Sequence, residues 1–117
     1  MGGVLNYSTT EQDTGLLWVD GKHVYQKTID CGNGPNNTSK NVAHGIANLD
    51  RIIEWNVVGK HVTISGTNYF IPFGPSRSST NDWALEIYTD TTNITLKTYN
   101  NWDNTSIYIT ILYTKST

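Results

Sequence analysis

The chain has 117 residues, a net charge of −2 and a single cysteine. That length suits one domain, burying roughly two thirds of the surface of the unfolded chain. A lone cysteine excludes an internal disulfide, the missing Lys/Arg cluster removes the basic face of a nucleic-acid binder, and no apolar run approaches the ~20 residues of a membrane-spanning helix.

Only 15% of residues are charged, and the sequence is rich in Thr, Asn, Tyr and Trp. This is the composition of a β protein and not of a disordered one. Met1-Gly2-Gly3 reads as an added start, with the natural protein extending further at this end. Residues 1–15 are polar and aperiodic and read as an incoming linker, leaving 16–117 as a single domain.

Asp20-Gly21, between Leu17-Trp18-Val19 and the run Lys22 to Ile29, is the strongest hairpin signal. It predicts a type I′ turn with φ > 0 at both residues. Cys31 to Ser39 is a Gly/Asn/Pro-rich loop. Val42 to His44 reads as a short strand and Ile46 to Leu49 as a single helical turn, too short to stand alone. Ile53, Trp55 and Val57 then share one face, with Glu54 and Asn56 on the other. Gly59-Lys60 is expected to form a II′ turn, returning through a strand that points Val62 and Ile64 inward.

Tyr69 to Phe73 is a short apolar run whose Pro72 marks an edge strand or a strand end. Gly74 to Asp82 is a polar loop. Trp83, Leu85 and Ile87 alternate with Ala84, Glu86 and Tyr88. Asp90 to Asn93 is a turn, after which Ile94 and Leu96 point inward. Asn100 to Thr105 is a second polar loop. The last strand alternates most cleanly, with Ile107, Ile109, Ile111 and Tyr113 on one face and Tyr108, Thr110 and Leu112 on the other. About seven to eight short strands without an amphipathic helix imply an all-β fold, an antiparallel β-sandwich of jelly-roll-like or Ig-like type.

The residues offer no catalytic constellation. His23, His44 and His61 are not at metal-ligand spacing, and no metal or cofactor is expected. Cys31 reads as a small, semi-buried residue beside a turn. Gly74-Pro75-Ser76-Arg77-Ser78 lacks the second glycine of a nucleophile elbow. Carboxylates at Asp50, Glu54, Asp82, Glu86, Asp90 and Asp103 read as solvated strand and turn residues, since a glycosidase needs two of them at a set separation across a cleft. Trp102 stands among Asn100, Asn101, Asp103 and Asn104. It is either a lid over the sandwich end or an exposed platform on which sugar rings stack, and in the second case Trp102, Asn101, Asp103 and Asn100 form the ligand site. The charge-poor outer positions Tyr108, Thr110, Leu112, Tyr88 and Tyr99 have the composition of an interface between copies, with a C₃ trimer as the expected assembly.

Three pieces carry a resemblance. They are Tyr7-Ser8-Thr9-Thr10-Glu11-Gln12 leading to Trp18-Val19-Asp20-Gly21-Lys22 and Tyr25-Gln26-Lys27-Thr28-Ile29; Val42-Ala43-His44-Gly45-Ile46-Ala47-Asn48-Leu49-Asp50; and Leu112-Tyr113-Thr114-Lys115. Together they resemble a C-terminal β module of virion fibre proteins, on tail or head, from phages and prophages of Gram-positive and gut bacteria. Relatives often carry Pro where this chain has His23. The resemblance implies a non-enzymatic domain displayed on the virion, joined to the rest of the fibre through the N-terminal linker and binding a host-surface polymer such as a glycan. The alternatives are a secreted bacterial carbohydrate-binding module, a glycan depolymerase, and a purely structural trimerisation or decoration domain.

Overall fold

The computed structural model describes residues 6–62, 66, 68–72, 85–98 and 102–116. Eight strands are defined among them: β1 (Gln12–Leu17), β2 (His23–Asn33), β3 (Ser39–Ala43), β4 (Leu49–Val62), β5 (Asn68–Pro72), β6 (Leu85–Thr89), β7 (Asn93–Thr98) and β8 (Thr105–Lys115). A large sheet of order β1-β2-β8-β4-β5 and a small sheet of order β3-β7-β6 contain them all, and every pairing is antiparallel. No described residue is helical.

The sheets enclose one core. Ile29, Cys31, Val57, Ile107, Ile109, Ile111 and Tyr113 come from the large sheet, Ile94 and Leu96 from the small one, and Ile46 from the β3–β4 connection. This is the antiparallel β-sandwich expected from the alternation. β2 pairs with β8 in one sheet while β3 pairs with β7 in the other, so two chain segments run together as a ribbon and cross between layers. That nesting is of the jelly-roll type. β8 lies in the middle of the large sheet, which is why its alternate residues Ile107, Ile109 and Ile111 are wholly buried. Burying such a side chain stabilises the fold by about 1.5–3 kcal/mol.

Local features depart from the simple sequence pattern for identifiable reasons. The β1–β2 turn is centred on Val19-Asp20, not Asp20-Gly21. Gly21 N donates to Trp18 O at 2.9 Å, Trp18 N donates to Lys22 O at 2.8 Å, and Gly21 alone takes positive φ, at +86°. This is the three-residue loop with a left-handed glycine, and Asp20 Oδ1 supports it by accepting from Lys22 N at 3.0 Å. Residues 12–15 belong to β1 and not to a linker, and the chain before them is tied down as well: Thr28 N donates to Ser8 O at 2.8 Å. Cys31 lies in β2 and is buried, so the loop begins only after Asn33.

Ile46 to Leu49 forms a turn and no helix, because Ile46 N donates to the His44 ring at 3.0 Å and Asn48 adopts φ +57°. Gly59-Lys60 is not a turn. β4 runs on through both residues, paired with β8 on one side and β5 on the other, and two full ladders outweigh a local glycine signal. Ile64 lies outside the described residues, as do Phe73, the expected loop at 74–82, and Trp83.

In β4 a bulge falls between Ile52 and Glu54, so Ile52 takes the core-side place opposite Tyr113 and Ile53 is the extra residue. Trp55 and Val57 do lie opposite Ile111 and Ile109, on the inner side, but Trp55 sits at the margin of the core and is 36% exposed. β5 is an edge strand ending at Pro72, as its proline requires.

Candidate functional site

In an antiparallel ladder, residues directly opposite share a face. The outer face of the large sheet therefore carries a transverse row, Thr28–Thr110–Asn56, beside a second row that sets Tyr108 against Val58. The Thr28 and Thr110 hydroxyls bond each other at 2.9 Å. Tyr7, Ser8 and Thr9 run along the free edge of β2 past the end of β1 and raise a wall beside these rows. The result is a groove of about 500 Å³ lined by Tyr7, Ser8, Thr9, Thr28, Asn56, Val58, Tyr108 and Thr110. That volume is in the range of roughly 300–1,000 Å³ that takes small ligands.

Contacts outside the groove fix the wall. Glu11 accepts from the Tyr113 hydroxyl at 2.6 Å and from Lys115 Nζ at 3.1 Å, while Lys115 also lies 5.3 Å from the centre of the Tyr25 ring. Burial pushes the Glu11 carboxyl up. The Tyr113 and Lys115 hydrogen bonds outweigh it and hold the group below the usual glutamate range.

Chemically the groove combines two tyrosine rings with four hydroxyl side chains from Ser and Thr and one amide. None of the described lining residues is charged. Such groups bind by stacking and neutral hydrogen bonding.

The residues singled out from the sequence fare differently. Trp102 is 5% exposed and packs by Gly34 and Pro35, so the lid reading of its loop replaces the stacking platform. A buried ring has no free face for a sugar. Asp103 is exposed, and Asn100 and Asn101 lie outside the described residues. Tyr108 and Thr110 line the groove and Leu112 follows on the same outer face, half-buried. Tyr88 is exposed on β6, on the outside of the small sheet, and so on the opposite side of the sandwich from Tyr108. One interface patch cannot hold both. Tyr99 lies outside the described residues.

Sequence reading missed Tyr7, Ser8, Thr9, Thr28 and Val58 as site residues. Asn56 was placed correctly on the outward side of β4, but only the register against Thr110 brings it to the groove.

The histidines are engaged elsewhere. His23 Nδ1 is 2.8 Å from Asp13 Oδ2 and His61 Nδ1 is 2.9 Å from the Thr105 hydroxyl. Buried His44 accepts from Ile46 N, which leaves its Nε2–H to donate to Asp90 O at 3.0 Å. Among the described residues no cluster of three or more His, Cys, Asp or Glu side chains could hold a metal ion.

No family model, curated protein or solved structure matches the chain.

Proposed function

We propose that this is a non-enzymatic display domain of a virion fibre that binds a host-surface polymer, a glycan, through the outer-face groove of the large sheet. The carrying observation is the lining: tyrosine faces for pyranose rings, with hydroxyls and an amide for their OH groups, and no charged side chain among the described residues. The sequence resemblance supports the virion context. Fluorescently labelled domain is incubated with a panel of Gram-positive and gut bacteria. Binding to some strains, lost in Tyr108→Ala at unchanged thermal stability, is the expected result. Binding to none of them rejects the reading, and release of oligosaccharides from the cell surface replaces it with a depolymerase.

A second reading has its own support. Val58 and Tyr108 are 47% and 42% exposed side by side on this face, which also suits a contact between copies in a homotrimer. Light scattering coupled to size exclusion separates the two. A trimer dissociated by Leu112→Lys without unfolding assigns the face to assembly, and a monomer at high concentration leaves it free for ligand.

A further inference from the structure

Resting on the groove reading above, we infer that the groove selects an uncharged glycan and discriminates against acidic polymers.

The floor of the groove is amphoteric. The Thr28–Thr110 pair shares one hydroxyl proton across its 2.9 Å bond, and the second proton is left to donate outward while lone pairs on both oxygens accept. Asn56, next in the row, offers both an NH₂ and a carbonyl. A sugar hydroxyl is likewise donor and acceptor at once and satisfies both kinds of group. A carboxylate or sulfate only accepts, and it leaves the floor's acceptors facing acceptors.

Charge points the same way. Recognition of anions relies on Arg, Lys or a set of converging backbone N–H groups, and no Arg or Lys is among the described residues that line this groove. Among the described residues, the charged ones that the register places on this face are Asp30 opposite Tyr108, Glu54 opposite Leu112, Arg51 opposite Thr114, and Lys60 opposite Ser106, two residues past Val58. All four are exposed, and Asp30 is the one set directly opposite a lining residue, Tyr108. A polyanion entering the groove meets the Asp30 carboxylate beside Tyr108, with no cation among the described lining residues to offset it.

The test is affinity electrophoresis and calorimetry of the whole chain. The probes are neutral polysaccharides (dextran, mannan, galactan) and acidic ones (polygalacturonate, hyaluronate). The expected result is binding to at least one neutral polymer with little dependence on salt, weakened about tenfold by Tyr108→Ala through loss of a stacking face. Thr28→Val/Thr110→Val, which keeps shape and removes both hydroxyls, should weaken it comparably. Asp30→Asn/Glu54→Gln should leave neutral binding unchanged and raise the weak retardation by acidic polymers. Salt-sensitive binding to an acidic polymer, sensitive to Tyr108→Ala and stronger than to any neutral one, overturns the inference yet keeps the polymer-binding reading. Binding to neither class overturns both.

Discussion

The Tyr113 hydroxyl, on the last strand, donates a 2.6 Å hydrogen bond to Oε1 of Glu11, the residue immediately before the first strand. The Tyr113 ring is buried and stacks on Tyr25 at 6.0 Å, and burial followed by the Glu11 carboxylate pushes its phenol well above the usual range. A residue that looks like linker in the sequence is thus held from the core. The consequence is a pH dependence. A carboxyl whose folded pKa lies below its unfolded value stabilises the fold above the unfolded value, about 4.3 for Glu, and that stability is lost as pH falls through the folded value. Thermal stability should therefore drop on going from about pH 5 to pH 3. Glu11→Gln should lower stability at pH 7 by about 1 kcal/mol and flatten part of that acid limb, as read by calorimetry at several pH values. Asp90, held low by the Asn93 and Thr92 backbone N–H groups, contributes with the same sign, so some acid sensitivity persists in the variant.

Ile109→Asp should abolish folding. Ile109 is wholly buried between Ile29 and Val57 in the register, and an unpaired carboxylate there costs several kcal/mol, comparable to the whole stability of a domain this size. Thr110→Asp, one residue on, faces the groove. It loses the Thr28 hydroxyl bond but keeps access to water, so a loss of about 1–2 kcal/mol with a cooperative urea transition is expected. Equal tolerance of both substitutions would contradict the assigned faces.

What the sequence disclosed and what it concealed follow from where the deciding contacts lie. The alternation of β7 and β8 was legible because Ile94, Leu96, Ile107, Ile109 and Ile111 all face the core and neither strand carries an extra residue of its own, the bulges beside β8 falling in β2 and β4. In β4 the expected faces hold from Glu54 through Val57 and fail only at the bulge, where Ile52 and not Ile53 takes the inner place. That bulge is set by pairing with a strand over fifty residues away, and a bulge puts the side chains on its two sides out of phase by one place. Trp102 was misleading as a platform candidate because its polar neighbours in sequence are not its neighbours in space, where it packs by Gly34 and Pro35. The groove belongs to no single stretch. It joins β2, β4, β8 and the segment before β1, and the tyrosines and threonines concerned look individually like ordinary outer-face strand formers.

Cys31 sets an alkaline limb. Burial raises its thiol to about 11, against the smaller opposing pull of Lys40, whose ammonium bonds the Cys31 carbonyl at 2.6 Å. A group with a raised folded pKa contributes stability that is present below the unfolded value, about 8.5 for Cys, and lost as pH rises toward the folded one. Stability should therefore decline above about pH 8.5, less steeply in Cys31→Ala, with the Tyr113 phenol adding to the decline in both. The same burial predicts slow chemistry. Maleimide labelling at pH 8 should be about a hundredfold slower in the native protein than in 6 M guanidinium, and comparable rates would place the thiol outside the core.

Gly34 and Trp102 make the last test, because their contact separates backbone space from ring packing. A Cβ built on Gly34 would lie 2.6 Å from the Trp102 Cβ and 2.9 Å from its carbonyl oxygen. The two segments cannot easily draw apart, since Gly34 N donates to Thr105 O at 2.9 Å and Trp102 N donates to Pro35 O at 3.1 Å. Gly34→Ala should cost about 3 kcal/mol, at the upper end of overpacking penalties. Trp102→Ala should cost about 3–5 kcal/mol by emptying the space the indole fills. The glycine clash is with the Cβ and backbone of residue 102, which alanine retains. Removing the ring should therefore not rescue Gly34→Ala, and the double variant should show a coupling below about 0.5 kcal/mol in urea unfolding at unchanged m. A large favourable coupling would mean that the indole itself, and not the backbone at Trp102, occupies the space above Gly34. A Trp102→Ala protein that melts with the wild type would return the ring to the surface.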